Sequence, residues 1–206
     1  MSIVVKVVNM LRVYNIDRDI AKWERLGCPV PPPHVYKQRV IKSFADAFNL
    51  RVLVESGTYY GDMVEAMKGF FDVVYSIELS TELFAKAQNR FRKDENVSII
   101  QGDSGCEIGK IVANLEVPAL FWLDGHYSSG ETAKGSKDTP IFEELESVLA
   151  SKGIDHVILI DDARCFGTDP SYPTIEALTE FVRSRRDNVK ISVEGDCIRI
   201  TPLRST

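Results

Sequence analysis

Short apolar runs alternate with longer amphipathic stretches along most of this chain, and each apolar run leads into an acid. They read VLVE to Glu55, VVYSIE to Glu78, VSIIQGD to Asp103, LFWLD to Asp124 and VILIDD to Asp161 and Asp162. Runs this short and this rich in Val, Ile and Leu predict strands buried on both faces. The first intervening pattern, HVYKQRVIKSFADAFN, carries Val35, Val40, Ile41, Phe44 and Phe48 at helical spacing. DMVEAMKGF closed by Gly69, TELFAKAQNRF capped by Ser80 or Thr81, IFEELESVLAS opened by Thr139-Pro140, and TIEALTEFVRSRR predict further helices. Such alternation predicts βαβ units and a parallel sheet. The last segment, VKISVEGDCIRITP, departs from it: two alternating runs flank Glu194-Gly195-Asp196, the mark of an antiparallel hairpin.

In a parallel sheet the carboxyl ends of the strands share one edge, and ligands bind in the crevice there. Six carboxylates are thus expected at one edge. Residues 35–206 read as a single domain, preceded by an extension over 1–34 that has no clear period and runs into CPVPPP. The 125–140 stretch is polar and glycine-rich, and 163–173 is a second irregular loop. With the extension, these are the expected walls of an acceptor pocket, and the first is a candidate lid bearing Tyr127, Lys134 and Lys137.

Composition narrows the partners. A net charge of −5 over 206 residues argues against a nucleic-acid partner, which would want a basic face. The densest basic patch, Arg183 to Arg186, ends a predicted helix and complements its dipole. No apolar run approaches the length of a membrane span. The opening MSIVVKVVNMLRVYN lacks the layout of a signal peptide and reads as an ordinary helix or strand. Cys28, Cys106, Cys165 and Cys197 are scattered without a CxxC pair, so a reduced, cytoplasmic protein with mostly buried thiols is expected. Cys165 is expected to be a neighbour of the pocket rather than a nucleophile.

The turn after the first strand is the most specific feature. Glu55-Ser56-Gly57-Thr58-Tyr59-Tyr60-Gly61 has an acid two residues before its first glycine and lacks the GxGxxG of a dinucleotide site. An acid there repels phosphate and suits a cationic or amine-bearing ligand. Glu78, 21 residues past Gly57, ends the second strand where an acid can accept ribose hydroxyls. These residues resemble the class I S-adenosylmethionine (SAM)-dependent methyltransferases, whose first motif is acid-x-Gly-x-Gly-x-Gly; Tyr59 replaces the middle glycine here. The resemblance implies that the turn faces the methionine part of SAM and that Asp103 lies near the adenine amino group. The expected cofactor set is Glu55, Gly57, Thr58, Gly61, Glu78, Asp103 and Ser104. The closing hairpin resembles the family's reversed last strand. The fold class so implied is α/β: a Rossmann-like, doubly wound, mostly parallel seven-stranded sheet with an antiparallel last strand.

Asp124 and the Asp161-Asp162 pair end adjacent strands, which lie ~4.8 Å apart. Unit charges about 5 Å apart repel by about 3 kcal/mol at an effective dielectric near 20, so the three need a shared proton, a basic partner or a cation. A divalent ion, Mg²⁺ first, satisfies oxygen ligands economically. The resemblance points the same way: these acids are similar to the metal ligands of the macrocin-type, Mg²⁺-dependent sugar O-methyltransferases. Catechol-type relatives have a lysine where this chain has Tyr127, which speaks against that mode of catalysis. His126 and Asp124 are the candidate bases; His34 and His156 receive no role. The expected activity is methyl transfer from SAM to a small-molecule hydroxyl with metal assistance, and a homo-oligomer is compatible with it. Metal-independent transfer to O or N, a nicotinamide oxidoreductase and a non-catalytic cofactor-binding protein are the alternatives.

Overall fold

The computed structural model describes residues 17–125 and 139–203. His126, Tyr127, Lys134, Lys137 and the reading of the first 16 residues lie outside them. Among the described residues, seven strands form one sheet in the order β3-β2-β1-β4-β5-β7-β6. They are β1 (Val52–Ser56), β2 (Val73–Glu78), β3 (Val97–Gln101), β4 (Ala119–Leu123), β5 (Val157–Ile160), β6 (Val189–Glu194) and β7 (Cys197–Pro202). The first five pair in parallel, whereas β7 runs antiparallel to both β5 and β6. The helices are α1 (17–25), α2 (His34–Phe48), α3 (Asp62–Met67), α4 (Thr81–Phe91), α5 (Ser104–Val112), α6 (Ile141–Leu149) and α7 (Ile175–Arg185). This is the expected fold.

Strand alternation divides the core in two. Val52 and Val54 of β1 join Phe121, Leu123, Ile158 and Ile160 against Ile108, Leu145, Val148, Leu178 and Val182 of α5, α6 and α7. Leu53 joins Val74, Leu120, Trp122 and Leu159 on the other face, against Ile41, Val64, Met67 and Phe91 of α2, α3 and α4. β1, β4 and β5 are buried along their whole length, as their continuous apolar runs require.

Several local expectations shift. α3 ends at Met67, two residues before Gly69. Helix α5, in SGCEIGKIV, was not foreseen. The extension is tied to the domain: the Trp23 indole donates to the Pro29 carbonyl at 2.7 Å and its ring lies 4.5 Å from that of Tyr36. Only Cys197 of the four free thiols is buried, and Cys28 and Cys106 are exposed, contrary to the expected burial. Two of the basic-patch arginines make specific contacts beyond the helix dipole. Arg185 pairs with Glu146 at 2.8 Å, and Arg186 donates to the Leu149 carbonyl at 3.1 Å, so both hold α7 to α6.

Ile41 anchors α2 with no exposed surface. Ile41→Ala is expected to cost about 2–4 kcal/mol in urea unfolding, whereas Val193→Ala, on the exposed side of β6, should cost well under 1 kcal/mol.

Candidate functional site

The turn that closes β1 is shaped by positive backbone angles. Gly57 has φ +86°, and a Cβ there would lie 2.6 Å from the Asp124 carbonyl oxygen, so only glycine lets β1 and β4 end this close together. Tyr59, where the related motif has glycine, takes φ +50° nonetheless. That costs on the order of 1–2 kcal/mol. The strain is held by its N–H, which donates to Glu78 Oε2 at 2.7 Å. The second carboxylate oxygen of Glu78 accepts the Ser80 N–H at 2.9 Å.

Glu55 is 2% exposed and accepts the Ser76 hydroxyl, which in turn meets the Thr58 hydroxyl at 2.7 Å. Burial pushes the Glu55 carboxyl up to about 8, with Ser76 opposing and Glu78 adding to the shift. Asp103 caps α5 by accepting the Gly105 N–H at 3.0 Å. Ser104 begins that helix, and with Ser56 it flanks Gly125, where a Cβ would come within 3.2 Å of either hydroxyl oxygen. The expected cofactor residues thus gather at the carboxyl ends of β1, β2 and β3. Gly61 starts α3 with φ +79°, and a Cβ there would strike the Phe91 ring at 2.6 Å.

Glu144 escaped the sequence reading. It lies on α6 with no exposed surface, and neither carboxylate oxygen has a hydrogen-bond partner among the described residues. Burial raises its pKa to about 7, partly offset by the nearby Ser104 and Ser56 hydroxyls. Its signal was a glutamate in line with Ile141, Leu145 and Val148 on an apolar helix face.

The acids of the second set follow neighbouring strands. Leu123 pairs with Ile160 across β4 and β5, and the Asp161 N–H donates to the Leu123 carbonyl at 3.0 Å. Asp124 and Asp161 therefore follow side by side. Asp124 is raised well above the usual carboxylate range by burial and by Asp161; Lys37 opposes, and Asp162 and Glu55 add.

The partner the charges required is a lysine. Lys37 Nζ forms an ion pair with Asp161 Oδ2 and lies 3.8 Å from Asp162 Oδ1. Arg164 Nη1 donates to Asp162 Oδ1 at 2.8 Å and also pairs with Asp196 from the β6–β7 turn. No three His, Cys, Asp or Glu side chains converge as a metal-ligand set among the described residues. Cys165 is half-buried, and burial with Asp162 nearby raises its pKa, so it is not an activated thiolate. His156 accepts the Ala119 N–H at 3.1 Å, and burial drives its pKa down to about 4, which makes it a neutral structural acceptor.

No protein-family model and no curated protein sequence matches the chain. Solved structures do resemble it. The SAH-bound methyltransferase PaMTH1 of Podospora anserina superposes with a TM-score of 0.59 at 15% identity, over 98% of this chain and 97% of that one. The O-methyltransferase TomG of Streptomyces achromogenes, in complex with SAM, gives 0.59 at 15%, over 92% and 89%. An O-methyltransferase of Bacillus cereus in complex with SAH gives 0.60 at 12%, over 92% and 90%. The chain has the class I SAM-dependent methyltransferase fold.

Two predictions follow from this geometry. Gly57→Ala should cost about 2–4 kcal/mol in chemical unfolding, because the new Cβ meets backbone that cannot retreat. Glu55 and Glu144 keep protons in the folded chain that the unfolded chain loses near pH 4.5, so stability is full below that value. It falls as pH rises through about 7 and 8, by on the order of 3 kcal/mol per group. Thermal melts of the ligand-free protein between pH 5 and 8 should show this decline, and Glu144→Gln should flatten part of it.

Proposed function

We propose that the protein transfers a methyl group from SAM to an oxygen of a small molecule. The observation that carries this reading is the convergence of Glu55, Gly57 and Glu78 on the crevice beside β1, where β1 sits between β2 and β4 and the connections change sides. Glu55 suits the cofactor's amine, since a cation beside it would stabilise the carboxylate form that burial disfavours. Each Glu78 oxygen accepts one backbone N–H and keeps acceptor capacity for a ribose hydroxyl. Asp103 and Ser104 close the adenine end. When bound, SAM supplies an electrophilic methyl group on its sulfonium.

The chain's own task is then alignment and proton removal. Asp124 at the end of β4 and His126 two residues on are the proposed bases. Two of the three acids that would hold a divalent ion, Asp161 and Asp162, are already engaged by Lys37 and Arg164. The proposed reaction therefore uses no metal step, in place of the metal-assisted form that the sequence suggested. A net charge of −5 supports a small-molecule acceptor over a nucleic acid.

Calorimetry with SAM tests the reading. Binding should release close to one proton per site near pH 7, because the amine draws Glu55 from its protonated to its charged form, and affinity should rise with pH toward 8. Glu55→Gln should abolish that proton release and weaken binding about ten-fold or more. No heat or thermal shift with SAM, alongside binding of NADH, would overturn the proposal.

A further inference from the structure

The structure assigns Lys37 as the resident cation of the β4–β5 carboxylate cluster, occupying the place that a divalent ion would take and keeping such ions out. This rests on the methyltransferase reading for its consequence, a metal-free acceptor side, but its geometry stands independently.

Helix α2 delivers the lysine by construction. It packs its Val40, Ile41 and Ala45 face on the sheet, and Lys37 lies one turn before Ile41 on that same face. A lysine in line with buried positions points its stem along the apolar surface and its ammonium toward the sheet edge. The ammonium arrives where β5 ends. Its side chain is 17% exposed and that of Asp161 is 1% exposed, so the pair is shielded from bulk water. Asp162, whose φ of +57° turns the chain out of β5, lies within ion-pair distance of the same ammonium.

Both acids after β5 are thereby engaged by protein cations. Asp161 faces Lys37, and Asp162 is divided between Lys37 and Arg164. Arg164 is fixed from two sides by Asp196: its backbone N–H donates to Asp196 Oδ1 at 2.8 Å, and its guanidinium pairs with Oδ2. A divalent ion seated on Asp161 and Asp124 would meet the ammonium a few ångströms away. Like charges that close repel strongly in a water-poor site. Metal binding would therefore require Lys37 to leave a buried carboxylate, exchanging one charge pair for another with no ligand gained. The lysine also sits in a different segment from the lysine of catechol-type enzymes: it comes from the helix before β1, not from the loop after β4.

The test compares Mn²⁺ binding, by water-proton relaxation, in wild type, Lys37→Ala, Lys37→Met and Lys37→Arg, with SAM calorimetry and thermal melts on each protein. Wild type and Lys37→Arg should bind Mn²⁺ weakly. Lys37→Ala and Lys37→Met should bind it at least about ten-fold tighter, because Asp161 is freed beside Asp124 and Asp162 loses one of its two cations. Adding Asp161→Asn to Lys37→Met should remove the gain. Stoichiometric, tight Mn²⁺ binding by wild type would overturn the inference, and so would the absence of any gain in a folded Lys37 variant. If the lysine variants fail to fold, the wild-type titration still decides. Failure of SAM to bind wild type would instead strike the methyltransferase reading, since the Mn²⁺ measurements need no cofactor.

Discussion

Five parallel strands that end at one edge, each running into an acid, gather negative charge where the sheet and its helices exclude water. Burying an ionised carboxylate without compensation costs several kcal/mol, so the edge is stable only if each acid is individually relieved. The surrounding architecture can be understood as the set of devices that provide this relief. Backbone amides serve Glu78, which ties the glycine turn to the second strand. Retained protons serve Glu55 and Glu144, whose pKa values stand near 8 and 7. Cations serve Asp161, Asp162 and Asp196, through Lys37 and Arg164.

The three devices sort by position. At the end of β1 the acid is left protonated and poised, which suits a ligand that brings its own positive charge. Beside β5 the acids are permanently paired, which suits a wall that must hold its shape. The division leaves one crevice with a protonated acid at one end and a fixed polar surface at the other.

Much of this was legible in the chain. The continuous apolar runs gave β1, β4 and β5, and the Glu194-Gly195-Asp196 turn gave the antiparallel β6–β7 pair, because both signals are local. Helix α5 was hidden by Gly105 and Gly109 within nine residues, since glycine weakens helix propensity. The positions of Asp124, Asp161 and Asp162 were readable from register. What neutralises them was not, because Lys37 is 124 residues from Asp161 and only packing brings them together. Lys37 and Glu144 share a signal that was present but unused: a charged residue set in the apolar stripe of a helix. Each of the two marks a place where a helix reaches the sheet edge.

Asp196 sits in the turn between the last two strands and holds Arg164, which holds Asp162, while the Ala163 N–H donates to the Asp196 carbonyl at 2.9 Å. The same turn abuts the Tyr36 ring, the residue before Lys37. During synthesis, then, the half of the crevice beside β1, β2 and β3 has all its strands once β4 has emerged, but the half beside β5 does not. Its charge network spans residues 37 to 196 and is incomplete in any nascent chain or proteolytic fragment that stops short of the final hairpin.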